Sequence, residues 1–104
     1  MYISGQTAWN SERQIIGAND LEEQTHQALR NVKAAVQEAK GTMRDIVAIR
    51  VYVVNYDSKA GEIIGRVLRM HFDADTPPAA AWIGVQALAV ADFLIEIEAI
   101  AVIE

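Results

Sequence analysis

The chain has 104 residues, 52% hydrophobic and 22% charged, with a net charge of −5 and no cysteine. That length builds one hydrophobic core, hence one domain over residues 1–104, and the composition excludes disorder, disulfides, thiolate metal sites and a cysteine nucleophile. The acidic balance argues against a nucleic-acid partner: Arg30, Lys33, Lys40 and Arg44 come nearest to a basic stripe, but Glu38 and Asp45 interrupt them, as on a solvated helix face.

Met1 to Gly5 has no basic or apolar leader pattern, so no secretory signal is expected. Tyr2 to Thr7 reads as a short strand ending in a turn, and Gln14-Ile15-Ile16 as a second one before Gly17. Asn19 to Lys40 is the clearest helix. Leu21, Thr25, Ala28, Leu29, Val32, Ala35, Val36 and Ala39 recur at three- and four-residue steps. Asn19 or Asp20 can cap it, and Gly41 can end it in a left-handed conformation.

Asp45 to Asn55 is rich in β-branched residues and reads as a strand. Val47, Ile49, Val51 and Val53 form an apolar face; Ile46, Ala48, Arg50, Tyr52 and Val54 form the other. Asp57 to Phe72 reads as a second helix, with Ile64, Val67, Leu68 and His71 on one face. Gly61 and Gly65 each lower its helix propensity by roughly 1 kcal/mol relative to Ala, which suggests close approach to another element. Pro77 and Pro78 enforce extended geometry. Ala79 to Leu88 and Phe93 to Ile103 read as two strands, joined as a hairpin by Ala89 to Asp92. Gln86, Asp92, Glu96 and Glu98 interrupt this apolar C-terminal region, which a membrane span tolerates poorly. A cytoplasmic protein with no membrane partner is expected.

The pattern predicts an α+β fold, one mixed sheet with two helices on one face. Two helices cannot cover both faces. The face bearing Tyr52, Ile100 and Val102 would stay exposed, so self-association with cyclic symmetry is expected.

Glu96 and Glu98 share one face of the last strand. They are either a wet outer face or a carboxylate partly buried at a subunit seam, where burial would raise its pKa and suit it to proton transfer. Ser4-Gly5-Gln6 is either a bulge or a place where a backbone N–H meets a ligand. Arg50 either forms a salt bridge to Glu98 or Glu96, or binds an anion. His26 and His71 have no second ligand at metal spacing and fit surface or satisfied core positions. No metalloprotease, P-loop, dinucleotide or nucleophile-elbow motif occurs, and no metal or cofactor is expected.

Together "YISGQT", "QTHQALRNVKAAVQEAKG", "DIVAIRVYVV", the "PPA" turn and "IEIEAIAV" resemble the Rid family, the YjgF-like reactive-intermediate deaminases. The resemblance spans the chain in the family's order; typical members begin earlier, with a further strand. It implies a chorismate-mutase-like sheet, a homotrimer, and ligand sites at clefts between subunits. Active members hydrolyse 2-imino or 2-enamino acids to 2-keto acids and ammonia without a cofactor. By this resemblance Gly5 would offer its N–H to the substrate carboxylate, with Ser4 beside it, and Glu96 would orient or deprotonate the attacking water. The family's substrate-binding arginine follows the Pro-Ala of the turn. Here Ala80 stands in that place. Losing the pair would weaken carboxylate binding by roughly 2–5 kcal/mol if it is desolvated. Trp82, on the same face, either fills the vacated space and favours an apolar ligand or packs in the core. Arg50 would replace the cation if it reaches the cleft. Three functions follow: imine or enamine hydrolysis with altered substrate, a non-catalytic small-ligand-binding trimer, and the ribonuclease or translation-inhibitor activity attributed to some relatives.

Overall fold

Asp20 accepts a hydrogen bond of 3.1 Å from the Glu23 N–H, and Asp57 one of 2.8 Å from the Ala60 N–H. These two caps start the two helices of the computed structural model, which describes residues 1–104. Its elements are β1 (Tyr2–Gln6), α1 (Leu21–Glu38), β2 (Ile46–Val54), α2 (Ser58–His71), β3 (Ala79–Val85) and β4 (Ile95–Ala101). No helix is long and apolar enough to cross a membrane.

The four strands form one mixed sheet in the order β1-β4-β2-β3. β4 lies antiparallel to both β1 and β2, and β2 runs parallel to β3 with α2 as the crossover. The expected hairpin between the last two strands is therefore wrong. β3 takes the outer edge beside β2, and the chain returns across the sheet so that β4 fills the slot between β1 and β2. That slot offers β4 hydrogen-bonding partners on both sides, which a hairpin at the edge would not.

Both helices cover one face. Ile95, Ile97, Ala99 and Ala101 of β4, with Ile49, Val51 and Val53 of β2, pack into a core with Leu29, Val32 and Val36 of α1 and Ile64 and Val67 of α2. The expected alternation in β4 holds throughout. In β2 it fails at the start: a register shift between Ile46 and Ala48 buries Ile46 and leaves Val47 46% exposed. Gln24 is also fully buried. Its amide donates to the carbonyls of Gly17 and Asp92 and accepts from the Leu94 N–H at 2.8 Å, tying α1 to the segment before β4.

Two further expectations are corrected. Gln14 to Ile16 forms no strand; Ile15 makes only an isolated bridge to Trp9. At the end of α1 the left-handed residue is Lys40, with φ 67°, not Gly41. The Lys40 N–H reaches the Gln37 carbonyl and the Gly41 N–H the Val36 carbonyl, a Schellman pattern one residue earlier than expected. Gly41 is needed for closeness instead: a Cβ there would come 2.7 Å from the Ile103 Cδ1.

The other face of the sheet carries no helix. Ile100 and Val102 are 40% and 56% exposed there, and Tyr2 lies open beside them.

Candidate functional site

In β1, Ile3 pairs with Ala99 and Gln6 with Ile97, so Ser4 and Gly5 together oppose Glu98. This is a β-bulge, and it aims the bare backbone of Gly5 at Glu96. A Cβ on Gly5 would overlap the Glu96 carboxylate. The Ser4 carbonyl accepts from the Gln6 side chain at 3.0 Å, and Ser4 itself is exposed.

The two glutamates of β4 are in different states. Glu98 accepts from the Tyr2 hydroxyl at 2.6 Å and the Tyr52 hydroxyl at 2.7 Å, and its Oε1 lies 2.9 Å from the Arg50 Nε. The two tyrosine hydroxyls, and then Arg50, hold its carboxyl below the usual carboxylate range. The same bonds to Glu98 push both phenols above theirs, so both remain donors. Glu96 is half-buried and has neither a hydrogen bond nor an ion pair within the chain. Of the two carboxylates, only Glu96 is uncommitted.

Ala80 and Trp82 lie elsewhere. Their partners across the parallel ladder are Ile49 and Val51, so they share the helix side of the sheet. Trp82 rests on α2: a Cβ on Gly61 or Gly65 would come 3.4 Å or 3.5 Å from its ring. Tyr56 meets the same ring edge-on, with centroids 6.3 Å apart. That is the close approach the two glycines suggested. Trp82 does not line the space beside Ala80, which is an apolar pocket of about 240 Å³ between β3 and the end of α2.

One chain therefore separates the candidate residues. Ser4, Gly5, Glu96 and Arg50 gather on the open face, whereas Ala80 and Trp82 lie on the helix side of the edge strand. Arg50 is paired to Glu98, the first of the two partners its sequence position suggested. Tyr2 and the locked state of Glu98 were not singled out from sequence. Their signal is weak, because the contacts join β1, β2 and β4 across the sheet.

His26 Nδ1 and His71 Nε2 lie 2.8 Å apart and join the two helices. Burial first, then the charges of His26, Arg30 and Lys33, push His71 below the usual histidine range. No three His, Asp or Glu side chains converge as a metal site would require.

The profile described as Endoribonuclease L-PSP matches residues 1–103. A RutC family protein of Pyrococcus abyssi is 31% identical over 103 residues, covering 97% of this chain and 76% of that protein. A protein named 2-iminobutanoate/2-iminopropanoate deaminase from Dermatophagoides farinae is 29% identical over 104 residues, covering 100% of this chain and 78% of that one. Among solved structures, the Rid-family protein YyfB of Yersinia pestis has a TM-score of 0.90 at 40% identity, covering 99% of this chain and 77% of that one. RidA from a Psychrobacter species has a TM-score of 0.86 at 28% identity, covering 98% and 79%.

Proposed function

We propose a function from one premise: the chain belongs to the Rid family of YjgF-like proteins. The proposed activity is hydrolysis of a reactive imine or enamine to a carbonyl compound and ammonia, without a cofactor. The observation that carries it is the pair of glutamates: Glu98 is engaged by three partners, while Glu96 lies free against Gly5. A free, half-buried carboxylate can take a proton from water as the water oxygen adds to the imine carbon, and return it to the nitrogen. The same carboxylate passes the hydroxyl proton of the tetrahedral adduct to its amino nitrogen, and ammonia leaves as the C=O forms. Gly5, with no side chain, lets a ligand reach the bulge backbone beside Ser4. The name of the Dermatophagoides relative points to the same chemistry.

The proposed cleft lies between subunits of a homotrimer. The uncovered apolar face needs a partner, and the Gly5–Glu96 group and the Ala80 pocket sit on opposite sides of one sheet. A second subunit can bring them together. Ala80 and the commitment of Arg50 to Glu98 support an altered substrate.

Ammonia release from freshly generated 2-iminopropanoate is expected to fall about 100-fold or more in Glu96→Gln, the usual contribution of a positioned acid–base group. Equal rates in both proteins would remove Glu96 from the mechanism. A non-catalytic ligand-binding trimer is the second reading, favoured by the absence of an uncommitted cation on the open face. It predicts ligand-induced thermal stabilisation with no ammonia release from any imine. The ribonuclease named in the profile is disfavoured by the charge of −5.

A further inference from the structure

Across the four strands the only charged side chains are Arg50 on β2 and Glu96 and Glu98 on β4. All lie on the open face, so one cation faces two carboxylates. In the ladder between β2 and β4, Arg50 stands opposite Glu98 and Tyr52 opposite Glu96. Arg50 bonds its direct neighbour, with its Nε 2.9 Å from the Glu98 Oε1. Tyr52 does not: its hydroxyl passes Glu96 and donates along the diagonal to the same Oε1, at 2.7 Å. Tyr2 of β1 donates to the other oxygen, Oε2, at 2.6 Å. The cation of the sheet and both of its phenols thus go to Glu98, whose side chain is 13% exposed. The Glu96 carboxylate leans the other way, over Gly5.

The same donors can serve Glu96. Diagonal neighbours across a strand pair lie about 7–8 Å apart, within reach of a long side chain. Tyr52 spans one such diagonal to Glu98, and Arg50 can span the matching one to Glu96. A guanidinium against Glu96 would stabilise its charged form and weaken it as a proton acceptor. Glu98 competes for that guanidinium at shorter range, and a charge-assisted bond with two phenols beside it fixes the outcome. We propose that Glu98 is a positioning residue: it draws Arg50, Tyr2 and Tyr52 to itself and so keeps Glu96 free to take a proton from water. This rests on the role proposed above for Glu96 and assigns the residue that holds that role open. An ion pair that only stabilised the sheet would carry no such link to Glu96.

Glu98→Gln keeps the size of the side chain and removes the charge that holds Arg50. Ammonia release from freshly generated 2-iminopropanoate is expected to fall about tenfold or more, and the acid limb of the pH–rate profile to move to lower pH. Adding Arg50→Met takes the cation away, so the double variant is expected to regain most of the lost rate. A merely structural ion pair predicts the opposite, because the double variant has lost both of its ends. A crystal structure of Glu98→Gln reads the same point without turnover: the Arg50 guanidinium is expected against the Glu96 carboxylate. A full rate in Glu98→Gln, a double variant no faster than the single one, or an Arg50 that stays off Glu96 in the crystal would each overturn the inference. Failure of the reaction itself looks different. If the wild type hydrolyses no imine but Arg50 moves to Glu96 in Glu98→Gln, the reaction falls and the assignment of Glu98 stands. If Glu96→Gln loses the activity and Glu98→Gln keeps it, the reaction stands and the assignment falls.

Discussion

The helix-covered face of the sheet and its open face are built from the same strand by alternate residues. In β4, Ile95, Ile97, Ala99 and Ala101 go to the core, while Glu96, Glu98 and Ile100 face outward. The covered side is held mainly by burial of apolar side chains. The open side is held by directed bonds: two phenols and a guanidinium converge on Glu98, leaving Glu96 bare one pleat away. A one-residue step along β4 thus moves from a position that decides whether the chain folds to one available for chemistry. Substitutions should sort by parity, and each of the following can break that rule.

Ile97→Ala leaves a cavity in the helix-covered core and should cost about 2–5 kcal/mol of stability in denaturant unfolding. A loss below about 1 kcal/mol would mean that the covered face is not the main source of stability.

Gly5→Ala tests the other parity. The added methyl displaces the far end of Glu96, a flexible side chain, so stability should change by no more than about 1 kcal/mol. Imine hydrolysis should fall about 100-fold, as in Glu96→Gln. Full activity would show that Glu96 does not need its place against the bulge.

Tyr52→Phe removes one donor from Glu98 and should have a smaller effect than either. The Glu98 carboxyl should then titrate higher, nearer the ordinary carboxylate range, as read by NMR. A depressed pKa contributes stability that is present above the unfolded value and lost as pH falls through the folded one. The variant should therefore lose less stability on acidification than wild type. An unchanged Glu98 titration would assign its shift to Tyr2 and Arg50 alone.

The smallest effect belongs to the seam between the helices. His71 is a base with a lowered pKa, so the unfolded chain binds its proton more readily than the folded one. Its contribution is present above about pH 6.5 and is lost as pH falls below that, because burial penalises the charged ring of His71. Unfolding measured at about pH 7.5 and about pH 5.5 should show the loss in wild type and a flatter slope in His71→Gln. Parallel slopes would detach the histidine pair from stability.

Much of this was legible because it is periodic. Ile95 to Ala101 alternates without interruption, and the apolar steps from Leu21 to Val36 define a helix face, so both elements and their buried sides follow from the sequence. The exceptions are single-residue events. One extra residue at Val47 turns the start of β2 over, and the change from Gly41 to Lys40 shifts a cap; neither disturbs the average pattern. Strand order was misread for another reason. A short connection favours a hairpin, but β4 gains two neighbours by crossing to the centre, and that gain involves residues far away in the chain. The candidate site divides along the same line. Gly5 and Glu96 could be proposed from their types and do meet. Tyr2 lies 96 residues from Glu98, and no local pattern joins them.

The position of β4 also has a consequence for how the chain is made. It follows β1, β2 and β3 in chain order, yet it is the one that β1 and β2 both pair with. Without residues 95–101, β1 and β2 both lack this partner, and the βαβ unit of β2, α2 and β3 presents an open hydrogen-bonding edge. Such long-range closure is slow compared with local pairing. A chain whose helices have formed before β4 is in place exposes that edge, which is a template for pairing with another chain.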